Sequence, residues 1–217
     1  MSDYPHPAEI AALLAQCSGV AASKDVAEML VSRGLDPEFV DDLALAWALP
    51  KDANVPRWAS YQRQPWTDTG HRLLLPVYDA DGVRRSVRAW HIANEEPKRL
   101  PPSGRRAGGL VLACPMGVAI LSGANDGFPV PLEVVVAEGE PDFLSWATRS
   151  SDANESPVVA FGIGSGFWTA EHGKRVPTGT TVILRTDSNP AGDRYARSVA
   201  ETLEGRCLLL RQNPVAA

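Results

Sequence analysis

The sequence predicts an α/β fold in which a sheet flanked by helices follows a smaller basic α+β subdomain and an N-terminal helical segment. Two patterns support this prediction. The valines at 134–136 lead into an acidic turn and then into apolar residues at helical spacing, and residues 181–184 begin the same sequence of patterns. Both units follow a basic hairpin pattern. Strands that alternate with helices in this way are typical of a parallel sheet.

The N-terminal part predicts helices with clear boundaries. Residues 7–15 have an apolar face. Ser23 is placed to cap a helix over residues 24–32, and Gly34 is placed to end it. The Asp-Pro pair at 36–37 predicts the start of a further helix, because aspartate caps helices and proline suits the first helical position.

A β-hairpin is predicted in the middle of the chain. Residues 51–70 alternate prolines, tryptophans and polar residues without a period, which indicates a linker or an ordered loop. Residues 71–78 and 83–90 then predict two strands joined by a tight turn. Residues 110–128 are apolar and interrupted by glycines, which predicts a strand and a turn.

Charge is distributed unevenly along a chain whose net charge is −5. Residues 71–110 hold eight Lys and Arg against four Asp and Glu, although the whole chain is acidic. Trp90 and His91 interleave with these cations, and we expect them to form a stacking surface for a single strand. The alternative is a solvated basic face. The cluster consists of Arg84, Arg85, Arg88, Lys98, Arg99, Arg105 and Arg106.

Composition narrows the class of protein. No apolar run approaches 18 residues, and the N terminus lacks a basic region followed by an apolar one, so neither a membrane span nor a signal peptide is predicted. Cys17, Cys114 and Cys207 are isolated and odd in number, which fits neither a zinc motif nor a disulfide framework. We therefore expect a protein of the reducing cytoplasm.

Acidic residues follow two of the predicted strands. Glu138 comes directly after the first and Asp187 shortly after the second. If the two strands are neighbours, their carboxylates converge at one edge of the sheet and can bind a divalent cation such as magnesium. The alternatives are a surface glutamate at a strand end and a turn-forming aspartate.

Other polar residues of these turns have alternative roles. Asp142 is either a metal ligand or a helix-terminal carboxylate, and Glu140 is expected to face solvent. Asn189 offers a neutral oxygen that can ligate magnesium without adding charge. Asp193 either supplies the missing negative charge or caps the following helix, and of these we expect the cap.

The segments LEVVVAEGEPD and DSNPAGDRYA together resemble the Toprim domain, the metal-binding unit shared by bacterial-type primases, topoisomerases and some nucleases. The family pattern is a glutamate after the first strand and Asp-x-Asp after the third. Glu138 and Asp187 match that pattern, whereas Asn189 stands in place of the second aspartate. The resemblance covers about residues 131–211.

A wider resemblance to the primase catalytic core covers about residues 24–211. Arg33-Gly34-Leu35 matches the entry to that core, and Lys98 matches a lysine that lies in the basic groove beside the metal site in the family. The resemblance implies an N-terminal helical segment and linker, a basic hairpin-containing subdomain and a Toprim domain. The corresponding ranges are 1–67, 68–130 and 131–217.

The resemblance implies a DNA primase-like catalytic core that synthesises short RNA primers on single-stranded DNA by metal-dependent nucleotidyl transfer. Glu138 and Asp187 would be catalytic, and they would bind Mg²⁺ or Mn²⁺ with Asn189 and Asp142. The partners would be single-stranded DNA, nucleoside triphosphates and, as a further candidate, a replicative helicase, with no membrane. Nucleic-acid-binding residues would be Arg88, Lys98, Arg99, Arg105 and Arg106.

Two other functions stay open at this point. One is a catalytically weak or inactive Toprim module that binds nucleic acid, and the other is a Toprim nuclease. A reduced phage or mobile-element primase would also fit the length of the chain. Because Asn189 removes one negative charge, we expect weak magnesium binding by the free protein, with Asn189→Asp tightening it.

Overall fold

The chain forms two compact units, each with its own sheet. The computed structural model describes residues 4–124, 126–128, 132–149, 158–164 and 167–212. The first unit comprises Met1–Val77 and Arg84–Gly108, and the second comprises Tyr78–Val83 and Gly109–Ala217. The expected three-part division at 67/68 and 130/131 stays a prediction, and residues 130 and 131 lie outside the described residues.

The first unit combines three short helices with a four-stranded sheet in the order β1-β4-β5-β6 and a separate β2-β3 pair. Apolar residues of the helix α1 and the hairpin β4–β5 pack around two buried tryptophans, Trp58 and Trp66. Its helices are α1 (Pro7–Leu14), α2 (Lys24–Val31) and α3 (Pro37–Asp42). Its strands are β1 (Trp47–Ala48), β2 (Ser60–Tyr61), β3 (Gln64–Pro65), β4 (His71–Tyr78), β5 (Arg84–His91) and β6 (Arg99–Leu100).

The second unit is a five-stranded sheet in the order β11-β10-β8-β9-β7, flanked by helices. Four strands run parallel and β7 is an antiparallel edge strand. Its strands are β7 (Leu112–Ala113), β8 (Glu133–Ala137), β9 (Val158–Gly162), β10 (Thr181–Arg185) and β11 (Leu208–Arg211). Its helices are α4 (Pro115–Ser122), α5 (Glu140–Thr148), α6 (Ala170–Arg175) and α7 (Pro190–Leu203). The predicted α/β fold class is confirmed.

Most of the predicted helix boundaries are found. Asp36 caps α3 by accepting a hydrogen bond from the Glu38 amide at 2.9 Å. Gly34 has a φ of 72° just beyond the end of α2, a conformation that suits glycine. Ser23 precedes α2 as predicted but makes no side-chain cap, because its hydroxyl donates to Asp25 instead.

Residues 110–128 differ from the prediction of a strand and a turn. The strand is present as β7, but the residues after it form the helix α4. Pro115 at the start of α4 and the Cys114 sulfur, which accepts from the Gly117 amide at 3.4 Å, define this helix start. The helix α4 was not predicted because a cysteine is an unusual helix cap.

No helix in the described part of the chain is both long and apolar enough to cross a lipid bilayer.

Candidate metal site and basic surface

The two acidic strand ends of the second unit lie side by side. β8 and β10 are parallel neighbours whose register pairs Ala137 with Arg185. The Glu138 amide donates to the Arg185 carbonyl at 3.0 Å, which extends the pairing by one residue. The Asp187 amide then donates to Oε2 of Glu138 at 2.8 Å. The structure thus brings Glu138 and Asp187 together, and a main-chain donor orients the Glu138 carboxylate.

The turn after β10 is closed by the tight packing of α7 against it. A Cβ atom on Gly192 would lie 2.1 Å from the Asp187 carbonyl oxygen, so only glycine fits there. The Asn189 side-chain oxygen accepts from the amides of Ala191 and Gly192, both at 2.9 Å. These contacts hold the start of α7 directly against the backbone of Asp187.

Asn189 is the N-cap of α7. A side-chain amide oxygen has two lone pairs, and here two backbone N–H groups use them. Its Nδ2 donates to Oδ2 of Asp187 at 3.4 Å. In this arrangement Asn189 serves the helix and contacts the neighbouring aspartate, instead of directing its oxygen toward a cation.

Asp193 does not cap α7, contrary to the expectation, because Asn189 occupies the cap position. The Asp193 carboxylate instead pairs with Nη1 of Arg211 at 2.7 Å. The same guanidinium donates from Nε to the Thr186 hydroxyl at 3.2 Å and from Nη2 to the Asp187 carbonyl at 3.1 Å. Arg211 therefore braces the acidic turn and neutralises one of its carboxylates.

The first turn of α5 contains the other two acidic candidates. Asp142 is partly exposed there. Glu140 is buried, with 1% of its surface exposed, so the expectation that it faces solvent was wrong. As the first residue of α5 it lies close to the β8–α5 turn, and a carboxylate at that position interacts favourably with the helix dipole.

The donor set fits one divalent cation. Glu138 and Asp187 supply carboxylate oxygens at adjacent strand ends, and the Asp187 side chain is exposed. Within the described residues, no group of three His, Cys, Asp or Glu side chains could hold a metal ion. A magnesium ion usually completes its coordination shell with water or substrate phosphates, so two protein carboxylates are a sufficient anchor.

The basic residues of the first unit surround Trp90. The Arg33 guanidinium lies over its ring at 4.7 Å from the centroid, and Arg99 lies at 5.7 Å. Burial lowers the pKa of Arg33, and the nearby positive charge of Arg99 lowers it further. Trp90 and His91 are 1% and 9% exposed, so the predicted stacking surface is wrong. Neither side chain offers an exposed ring face on which a base could stack.

The remaining predicted nucleic-acid-binding residues occupy different surroundings. Arg88 is half-buried on β5. Lys98 Nζ lies 3.7 Å from a carboxylate oxygen of Glu96. Arg106 is exposed, lies over the Tyr4 ring at 5.5 Å from the centroid and donates to the Gly108 carbonyl.

Arg105 differs from these residues because it lines a cleft. That cleft also contains Arg57 and Arg63, which sequence reasoning did not select.

The family comparison agrees with this geometry. Residues 135–214 match the Toprim-like family profile. Residues 135–214 form a Toprim-like domain. Glu138 and Asp187 both lie within it. The resemblance predicted from the two acidic segments is confirmed at this level, and no curated protein matches the sequence.

Solved structures with a similar fold include primase catalytic cores. A DnaG primase catalytic domain bound to single-stranded DNA is 20% identical, with a TM-score of 0.60 over 96% of this chain and 71% of that one. The E. coli primase catalytic core is 20% identical, with a TM-score of 0.54 over 92% and 68%. A primase domain from Pseudomonas aeruginosa is 19% identical, with a TM-score of 0.53 over 92% and 67%. The chain with its Toprim-like domain therefore has the primase-core fold.

Besides Arg57 and Arg63, sequence reasoning missed two further cations that the fold places at these sites. Arg211 ends the last strand beside β10, where its partner in the register is Leu184. The available signal for Arg211 was its position at the end of the predicted last strand. Arg33 was noted only as part of an Arg-Gly pair, and its contact with Trp90 depends on a strand far along the chain.

Proposed function

We propose that this chain is a primase-type nucleotidyltransferase, which makes short RNA primers on single-stranded DNA with Mg²⁺ or Mn²⁺. One observation supports this most directly. The Asp187 amide donates to Oε2 of Glu138 at 2.8 Å, so these two acidic residues lie beside each other at adjacent strand ends of a Toprim-like domain. This placement suits a cation that must contact both the protein and the phosphates of a nucleotide.

The chain's own groups have separable roles in this proposal. Glu138 and Asp187 would hold the cation, which when bound stabilises negative charge on the reacting phosphate and lowers the pKa of the attacking hydroxyl. Arg211 would keep the Asp187 backbone in place through its carbonyl contact. The predicted basic residues would bind the template through phosphates and not bases. These are Arg88, Lys98, Arg99, Arg105 and Arg106.

A second candidate is a weakly active or inactive Toprim module that binds nucleic acid. This candidate is favoured because two polar residues beside the carboxylate pair already have other partners. The Asn189 oxygen caps α7, and the Asp193 carboxylate pairs with Arg211. If only two carboxylates remain for the cation, affinity for it is low, since ligand charge is a main determinant of binding.

Primer synthesis on single-stranded DNA, with magnesium or manganese, tests the first proposal. We expect Glu138→Gln to reduce synthesis about 100-fold or more, because loss of a ligand charge weakens transition-state stabilisation by about 3 kcal/mol. The matched control is Glu133→Gln, at the opposite end of the same strand. An equal effect of both substitutions would contradict the proposal. Tight single-strand binding without synthesis by the unmodified protein would favour the second candidate.

A further inference from the structure

A cleft of about 560 Å³ lies in the first unit, between residues 55–65 and 103–105. Cavities of this size hold small ligands, including nucleotides. Three arginines line it, and no aspartate or glutamate does. In a chain whose net charge is −5, this local excess of cations needs an explanation. The arginines are Arg57, Arg63 and Arg105.

The walls of the cleft are joined by hydrogen bonds. The Ser103 amide donates to the Trp58 carbonyl at 2.7 Å, so the two lining segments hold each other in place. Trp58 is buried, and its indole N–H donates to a carboxylate oxygen of Glu9 at 3.3 Å. The Trp66 amide donates to the Ala59 carbonyl at 3.0 Å. The cleft is therefore a preformed part of the fold.

Arg63 occupies a backbone position that other residues fill with less strain. It lies with Gln62 in the turn between β2 and β3, and their φ angles are 70° and 48°. Two-residue hairpin turns with positive φ at both positions favour Asn-Gly, because arginine and glutamine are strained there. Departures from local preference are expected where a side chain has a function.

The guanidinium groups of the cleft are available to a ligand. Among the residues that the structure describes, none forms a salt bridge or a hydrogen bond with the guanidinium group of Arg57, Arg63 or Arg105, and Arg57 accepts from the Ser60 hydroxyl only through its carbonyl oxygen. Arg57 and Arg63 are exposed and Arg105 is half-buried. Guanidinium groups bind phosphate oxygens through paired N–H donors, which makes arginine the preferred residue for such recognition.

We propose that this cleft is a binding site for the phosphates of nucleotides, separate from the carboxylate pair of the second unit. Three arginines on two walls match several phosphates in succession, as in a single strand or a triphosphate. The site extends nucleic-acid contact beyond the predicted basic residues to Arg57 and Arg63. It does not depend on catalysis or on a bound cation.

The test uses the full chain in the presence of a chelator of divalent cations, with a ten-nucleotide oligothymidylate and inorganic triphosphate as probes. We expect Arg57→Ala with Arg63→Ala to weaken oligothymidylate binding roughly tenfold and to lower the salt slope by about 1.4, since each lost single-strand contact contributes about 0.7. The control is Arg194→Ala with Arg197→Ala, which removes the same charge from exposed positions of α7. It should change affinity less than twofold.

Arg63→Gly separates a ligand role from a structural one. Because glycine suits a φ of 70°, this substitution should raise the melting temperature while it weakens binding of the probe. If the cleft substitutions weaken the binding of triphosphate but not of the oligonucleotide, the ligand is a free nucleotide. If they weaken the binding of the oligonucleotide but not of triphosphate, the ligand is a single strand. Equal effects of the cleft and control pairs, or unchanged binding of both probes, would overturn the proposal.

Glu138→Gln should bind both probes as the unmodified protein does. Loss of primer synthesis in that variant, with cleft binding retained, would therefore show that the two proposals stand or fall separately.

Discussion

The two strand-to-helix turns of the second unit share a plan but use their polar residues differently. After β8, Glu138 accepts from a main-chain amide, and Gly139 precedes α5 without a side-chain cap. After β10, Asn189 caps α7 with its side chain. In the first turn, the Glu138 carboxylate thus accepts a hydrogen bond from the neighbouring strand end. In the second turn, a polar side chain caps a helix. A side chain that caps a helix has little capacity left for a ligand.

The largest expected effect on stability comes from Gly192, which closes the second turn. Gly192→Ala should lower the free energy of unfolding by about 3 kcal/mol, because the added methyl group would overlap the Asp187 carbonyl oxygen. Urea denaturation measures this. Ser198→Ala, on the exposed side of α7, is the control and should change stability by less than about 0.5 kcal/mol. Normal stability of Gly192→Ala would show that the turn is not closely packed.

Asn189 provides a direct test of the difference between the turns. Asn189→Ala should cost about 1 kcal/mol in denaturation experiments, because the cap of α7 is lost. Asn189→Asp should keep the cap, since aspartate serves equally well there, and it should tighten magnesium binding in calorimetric titration. If Asn189→Asp binds magnesium as the unmodified protein does, position 189 lies outside the coordination sphere.

Arg211 should have the smallest effect. Its pair with Asp193 is partly exposed, so Arg211→Ala should reduce stability by at most about 1 kcal/mol. The same substitution removes a positive charge beside Asp187, and we expect magnesium affinity to rise roughly threefold at low salt. Arg197→Ala, on the exposed side of α7, controls for net charge. A fall in magnesium affinity would contradict this expectation and would show that the positioning of Asp187 by Arg211 outweighs the effect of its charge.

The fold was predictable where local signals agreed with tertiary packing. The apolar run before Glu138 and the Asp-Pro pair at 36–37 each combine strong local preferences with the observed element. Residues 110–128 were only partly predictable, because the helix α4 begins after a cysteine cap, which is not a usual helix-start signal.

The candidate site was predictable in its acids but not in their surroundings. Strand-end positions indicated Glu138 and Asp187, since neighbouring parallel strands end at one edge. The burial of Glu140 and the inward orientation of Trp90 are not encoded in the adjacent sequence. The cap made by Asn189 is a local contact with the amides two and three residues further on, and the proline that follows Asn189 was its available signal. A charged or aromatic residue in a basic stretch does not show by itself which side of the strand faces solvent.

The bond between Asp187 and Glu138 has a consequence for how such a site changes over generations. Its donor is the backbone amide of Asp187, which any residue except proline would also supply. A substitution at position 187 can therefore abolish a charge while the loop keeps its shape. A homologous protein can therefore lose the carboxylate at position 187 and keep the same backbone structure around it. The shape of the site can then be retained after its activity is lost.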